Sequence, residues 1–360
     1  MTVPKLIAGL LSFSVIALIA SGCGGGDSLS KLKSYPKIDV HTHICEDADF
    51  VWEVQDDFKI KYFSICTHGL DEPALKRQIK LARELYKQNP DRFAWATSFD
   101  LVHRYESGWL DNVLAGLKQD FGHGAVSVKV WKEIGMEIKD SDGNFTQIDD
   151  PMFAPILDLV SKQGKTLVAH IAEPMNAWLP LDQMTVNNDR AYFTQNPQYH
   201  AYNDKQMPHH DTILAARDRM LAANPDLRVV GCHLGSLEYD TDVLAECFDK
   251  YPNFAVDTAA RVCHFQVQDR EKVRRFLIKY QDRVLYGTDL IVGSIQEGRT
   301  GVNRERMEKT FTRDLEYFAT ANEMTVPEVD GPFNGLDLPM PVLKKIFREN
   351  AVRWYPGIAD

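Results

Sequence analysis

Ile38-Asp39-Val40-His41-Thr42-His43 is the stretch on which the reading of this chain turns. Side chains alternate faces along a strand, so His41 and His43 point the same way, about 7 Å apart, and Thr42 points the other way. Two neutral imidazoles on one strand face can hold a single divalent ion. A pair of surface histidines on an edge strand is the alternative, and a His-x-His on its own does not separate the two. The rest of the chain does, because further strand-like runs end in metal-ligand residues.

Downstream of residue 37, short apolar runs alternate with amphipathic segments. Strands are expected at 37–41, 62–67, 93–99, 125–131, 166–170, 228–233, 254–258 and 283–288. Helical patterns fall at 73–88, 152–163, 213–223, 241–250, 270–281 and 342–349, several of them stopped by Asn-Pro, Tyr-Pro or Gly. Alternation of this kind implies a parallel sheet, and eight strands suffice to close a (β/α)8 TIM barrel, with an open doubly wound sheet as the alternative. The barrel places its chemistry at the C-terminal strand ends, which here carry His41, His43, Lys129, His170, His233 and Asp289. In the fourth strand Val126, Val128 and Val130 share one face, suited to lie under helices, which aims Lys129 into the barrel mouth. Gly231 and Gly287 share faces with His233 and Asp289, and leave room at the barrel centre if they point there.

The start of the chain reads as an address. Lys5 precedes an apolar run over residues 6–20, too short for a mature membrane span and right for a secretion signal. Ala20-Ser21-Gly22-Cys23 resembles the lipobox of bacterial lipoproteins, which implies cleavage before Cys23, a lipidated cysteine and an extracytoplasmic, membrane-anchored protein; an ordinary secretion signal is the alternative. Gly24-Gly25-Gly26-Asp27-Ser28 then suits a flexible tether. The expected plan is a signal peptide at 1–22, a lipidated cysteine and tether at 23–36, and one barrel domain at 37–360. The other cysteines, Cys45, Cys66, Cys232, Cys247 and Cys263, are odd in number without paired spacing, so no disulfide framework is expected. A net charge of −10 and the absence of a long basic run argue against nucleic acid as a partner. The expected partners are a small-molecule substrate and a membrane through the lipid alone; homo-oligomerisation is left open.

The motifs KIDVHTH (37–43), LVAHIAEP (167–174), VVGCHLGS (229–236), VLYGTDL (284–290) and IFRENAVRWY (346–355) together resemble the amidohydrolase superfamily. The branch is the amidohydrolase-related (amidohydrolase 2) one that includes the aminocarboxymuconate-semialdehyde decarboxylase type, and the likeness covers nearly all of the mature chain. It implies that His41, His43, His170 and Asp289 hold one divalent metal, with His233 beside it. Decarboxylases of the branch tend to carry a glycine-rich run after the strand-six histidine and Tyr-Pro after the strand-eight aspartate. Here those places read Leu234-Gly235-Ser236 and Leu290-Ile291-Val292.

Three imidazoles and a carboxylate suit zinc first and manganese second. Water at an open coordination place would have its pKa lowered towards ~7 and serve as a metal-bound hydroxide. Asp289 is then the catalytic proton acceptor, and His233 polarises a carbonyl or orients the water; a buried structural histidine is the alternative for His233. Lys129 is either a carboxylated lysine or, preferred here, an unmodified ammonium paired with Glu173 or Asp257 and available to an anionic substrate group. Glu173, Arg261 and His68 follow strands five, seven and two and line the mouth; Arg261 suits a substrate carboxylate or a surface ion pair. Residues 174–211 are too long for an ordinary connection and read as a lid with aromatic contacts such as Trp178, or as a structural cap or dimer contact. The His209-His210 pair reads as the exposed start of a helix. These readings together favour hydrolysis of a small ester, lactone or amide. Decarboxylation of an aromatic or unsaturated carboxylic acid comes second, and a non-catalytic metal-binding lipoprotein third.

Overall fold

The computed structural model describes residues 25–295 and 301–359. The expected signal peptide and the expected lipidation of Cys23 lie outside the described residues. Nine strands form one all-parallel sheet in the order β8-β7-β6-β5-β4-β3-β2-β1-β9. They are β1 (Lys37–Ile44), β2 (Ile60–Ile65), β3 (Phe93–Thr97), β4 (Ser127–Val130), β5 (Thr166–His170), β6 (Arg228–Cys232), β7 (Phe254–Asp257), β8 (Val284–Leu285) and β9 (Leu290–Val292). The eighth strand expected at 283–288 is thus split in two: β8 pairs with β7, and β9 pairs with β1. Between them Val40 N–H donates to Tyr286 O and Asp289 N–H to His41 O, so the two pieces close the sheet against β1. This is an α/β TIM barrel.

Physical causes of the split are local. Asp39 accepts from the Thr288 hydroxyl at 2.6 Å and from the Thr288 N–H at 3.1 Å, pulling that residue onto β1. Gly287 passes so close that a Cβ there would meet His41 Cβ at 2.9 Å. Asp289 then takes a left-handed backbone, φ 65°, before the chain resumes as β9.

Two apolar layers hold the barrel. The outer one, between sheet and helices, includes Tyr62, Trp95, Val128, Leu167 and Val256. The inner one includes Ile38, Val40, Phe63, Val168, Val230 and Leu285, and the C-terminal residues Trp354, Tyr355 and Ile358 plug it from below. Val128 and Val130 lie under helices as their parity demands, but Val126, just before β4, belongs to the inner layer. Gly231 does not open the centre either: a Cβ there would strike Phe254, which sits in the outer layer, at 2.5 Å.

The expected helices are present with shifted ends, among them Glu72–Gln88, Ala154–Lys162, Thr241–Lys250 and Arg270–Lys279. The last expected segment runs as Met340–Lys344, a π turn at Lys345–Glu349 and Asn350–Trp354. Asp49–Phe58, Trp109–Gly122 and Arg304–Ala319 are additional helices. The expected tether is shorter than read, since Gly25–Ser34 is helical and packs on Arg304–Ala319 with Leu32 buried. Lys37 caps this helix by donating to the carbonyls of Leu32, Lys33 and Tyr35. Among the described residues no helix is long and apolar enough to cross a membrane. Cys45, Cys66, Cys232, Cys247 and Cys263 are free thiols.

Candidate metal centre

Ile38 and Val40 face the inner core, yet His41 and His43 both face the cavity above it. The β1–β2 register slips between Asp39 and Thr42, and that irregularity changes the phase of the strand. Thr42 turns its hydroxyl away to Phe63 O. His43 Nδ1 lies 2.8 Å from Ile65 O, a pure acceptor, so Nδ1 carries the proton and Nε2 presents its lone pair. His41 Nδ1 is held in the same manner by Asp257 Oδ2 at 2.7 Å. Both free lone pairs converge on Asp289: its Oδ1 lies 3.2 Å from His43 Nε2 and 3.4 Å from His41 Nε2.

His170 and His233 complete the group, with ring centroids 4.8 Å apart. His233 Nε2 is 3.9 Å from Asp289 Oδ2, and ligand atoms of His41, His233 and Asp289 all lie within 4.8 Å of one another. His233 thus stands with His41 and Asp289 in one three-donor group. Burial pushes the pKa of His41, His170 and His233 well down, and the nearby Lys129 adds to this. Burial opposes ionisation of Asp289, but the facing rings of His43 and His41 and the charge of Lys129 hold its pKa down at about 2. Neutral imidazoles around an ionised carboxylate are a donor set for a divalent cation. His170 Nε2 is buried with no hydrogen-bond partner among the described residues, an arrangement that a metal bond would satisfy. The residues therefore fit the expected ion.

Asp257 was missed in the sequence as a partner of His41. Its signal was its place at the end of β7, matching the other strand ends. Burial raises its pKa to about 7, against the pull of Lys129. Lys129 is buried in the cavity floor as its parity predicts, with Nζ 3.3 Å from Cys232 Sγ. Of its two expected partners, Glu173 forms its ion pair with Lys132, a residue the sequence reading passed over, and Asp257 bonds to His41 while feeling the Lys129 charge.

The cavity above the cluster has a volume of about 550 Å³. Glu173, His68 and Arg261 line it, as expected. His68 packs on Trp131 with ring centroids 4.4 Å apart and tilted by 39°, and its loop is fixed by Glu133, whose two carboxylate oxygens accept from Gly69 and Leu70 N–H. Arg261 is 8 % exposed, so it is no surface cation, and its NH1 stands 3.9 Å from Asp189 Oδ1. Asp189 belongs to the lid helix Asn187–Gln195 and also accepts from Asn176. The lid supplies Tyr192, Phe193 and Tyr199 to the cavity wall. Trp178 does not line it: its Nε1 donates to Pro208 O and its ring packs on His210. His210 itself is fully buried, unlike its exposed neighbour His209, and serves packing under the lid.

The barrel and its histidine–aspartate cluster define an enzyme of the amidohydrolase superfamily. A family model described as Amidohydrolase, of the amidohydrolase-2 branch, matches residues 128–357, and the chain belongs to that family. Several solved structures share the fold. The 2,6-dihydroxybenzoate decarboxylase from Rhizobium is 15% identical with a TM-score of 0.53, covering 89% of this chain and 98% of that one. A dihydroxybenzoic acid decarboxylase from Polaromonas sp. JS666, with bound manganese and 2-nitroresorcinol, is 12% identical with a TM-score of 0.54, covering 89% and 96%. The 4-oxalomesaconate hydratase from Rhodopseudomonas palustris is 13% identical with a TM-score of 0.50, covering 89% and 96%. No curated protein matches the sequence.

Proposed function

We propose that the protein is a metal-dependent decarboxylase, a carbon–carbon lyase acting on an aromatic or unsaturated carboxylic acid. One observation carries this reading: the buried cation Arg261 and the rings of Trp131, Tyr192 and Tyr199 share a cavity with the histidine–aspartate cluster. A guanidinium grips a carboxylate, and aromatic walls take a flat ring. Decarboxylation thereby moves ahead of hydrolysis, which the sequence alone favoured because the glycine-rich run after His233 and the Tyr-Pro after Asp289 are both replaced. The first of these replacements leaves the backbone route intact. Leu234, Gly235 and Ser236 all hold left-handed φ, 51°, 62° and 58°, the conformation glycine adopts most readily. Similarity to two dihydroxybenzoate decarboxylases agrees with this order.

His41, His43, His170 and Asp289 would hold the ion, zinc or manganese, which supplies a Lewis acid beside the substrate. Arg261 orients the substrate carboxylate, and the aromatic walls keep water from the scissile carbon. When the bond to the carboxyl carbon breaks, its electron pair stays on the substrate carbon and carbon dioxide leaves. That carbon must then take a proton. Asp289 Oδ2 and His233 Nε2 face each other across 3.9 Å and are placed to relay it: Asp289, which rests ionised, takes a proton from solvent water by way of His233 and passes it to the carbon, leaving hydroxide to solvent. Hydrolysis of a small ester, lactone or amide is the second reading, favoured by the 27 % exposure of the Asp289 side chain, which leaves room for an attacking water. Extracytoplasmic anchoring to a membrane through Cys23 is proposed from the sequence motif. Elemental analysis followed by assay with aryl carboxylic acids, lactones and aryl esters tests the reading. One ion per chain and carbon dioxide release from an aryl acid are expected; acid and alcohol products from an ester, without carbon dioxide from any acid, would promote hydrolysis.

A further inference from the structure

The cation the sequence reading passed over is closely surrounded in the cavity. Lys132 follows Trp131 at the end of β4, and its side chain is 2 % exposed. An ammonium has three donors to place. One goes to Glu173, at the end of β5, and a second to the Tyr192 hydroxyl at 3.3 Å. The nitrogen also lies 3.4 Å from the centre of the Tyr199 ring and 4.8 Å from that of Trp131. Tyr192 and Tyr199 stack nearly parallel, with an interplanar angle of 9°. Both belong to the lid, Tyr192 in the helix Asn187–Gln195 and Tyr199 in the turn Pro197–Tyr199.

A lysine with its donors so engaged has little left to offer a substrate, unlike Arg261, whose contact with Asp189 spans 3.9 Å. Lys132 joins three separate pieces of chain instead: the ends of β4 and β5, and the lid. Desolvated cation–π contacts are strong enough to hold such a lid segment in one place. We propose that Lys132 is a positioning residue, binding the lid tyrosines to the barrel so that they form the wall against which a planar substrate lies. The role of the wall rests on the reading of the site as one for an aromatic acid; the tie between lid and barrel does not.

Two readouts separate those parts. Lys132→Met combined with Glu173→Gln removes the ammonium without leaving a buried lone carboxylate, and Lys132→Arg keeps the charge. In the ligand-free protein, amide hydrogen exchange across residues 187–203 rises about tenfold in the double variant and less than about threefold in Lys132→Arg. Unchanged exchange in the folded double variant overturns the proposal, whatever the reaction proves to be. With an aromatic acid as substrate, KM rises about tenfold in the double variant while kcat stays within about twofold, the pattern of lost uniform binding. A fall in kcat at constant KM would instead make Lys132 a group that acts on the reacting atoms. In a Tyr199→Leu background, adding Lys132→Met and Glu173→Gln raises KM little further, because the contact is already gone. Effects that simply multiply would contradict action through Tyr199.

Discussion

The Nδ1 of His41 and the Oδ2 of Asp257 lie 2.7 Å apart at the floor of the cavity, both residues at most 1 % exposed. This contact fixes the His41 ring and directs its Nε2 at Asp289. A carboxylate behind a metal-binding imidazole also raises its basicity. Asp257→Asn keeps the shape and an acceptor oxygen but removes the charge. Metal affinity is expected to fall about 10- to 100-fold with the fold intact, as measured by competition with a chromogenic chelator.

Arg261→Lys tests the carboxylate grip. A lysine retains the charge and loses the two-pronged geometry, so KM for an acid substrate is expected to rise roughly tenfold with a smaller change in kcat. Steady-state kinetics decide it. An unchanged KM would assign Arg261 to the lid alone, through Asp189.

Glu133 gives a pH prediction. Burial raises its pKa to about 7, although the backbone N–H groups of Leu70 and Gly69 favour its charged form. Between the usual carboxylate value of 4.5 and 7, the folded protein holds a proton that the unfolded chain has released. Its contribution therefore falls as pH rises through that window, by up to about 3 kcal/mol. Glu133→Gln cannot ionise, so the difference in unfolding free energy between wild type and variant should slope across pH 4.5–7 and be flat above it. Urea titrations at several pH values measure that slope. The variant also unsettles the loop that carries His68.

The strand ends were legible because barrel topology needs only their order, and His41, His43, His170, His233 and Asp289 arrive at one cavity accordingly. The residues that act at one remove were not. Asp257 was read as a candidate partner of Lys129, and only the fold reveals that it lies behind His41. Lys129 lies within strand four, and Lys132 stands three positions on, just past its end. Parity placed Lys129 correctly in the floor, but the chain leaves the strand after Val130, where alternation no longer says which carboxylate Lys132 meets. Val126 departs from its expected face for the same reason, since it precedes Ser127, where the regular strand begins. The helix Arg304–Ala319 was readable in principle: Asn303 accepts from Arg306 N–H as an N-cap.

Trp178 shows how a lid aromatic misleads. Aromatic content alone suggested a substrate contact, yet its indole bonds to Pro208 O beneath the lid. Trp178→Phe should leave KM unchanged and lower stability by about 1 kcal/mol, the size of one lost hydrogen bond. Thermal unfolding run beside the kinetics checks both halves.

The central claim is that this cavity exchanges a carboxylate for a proton at carbon. Incubating the metal-loaded protein with carboxyl-13C-labelled hydroxybenzoic acids in deuterium oxide tests it most directly. Nuclear magnetic resonance and mass spectrometry should find labelled carbon dioxide and bicarbonate, and a phenol with one deuteron where the carboxylate stood. His233→Ala should slow both together. Unconsumed acids, alongside lactones or aryl esters hydrolysed by the same preparation, would contradict the account and return the site to hydrolysis.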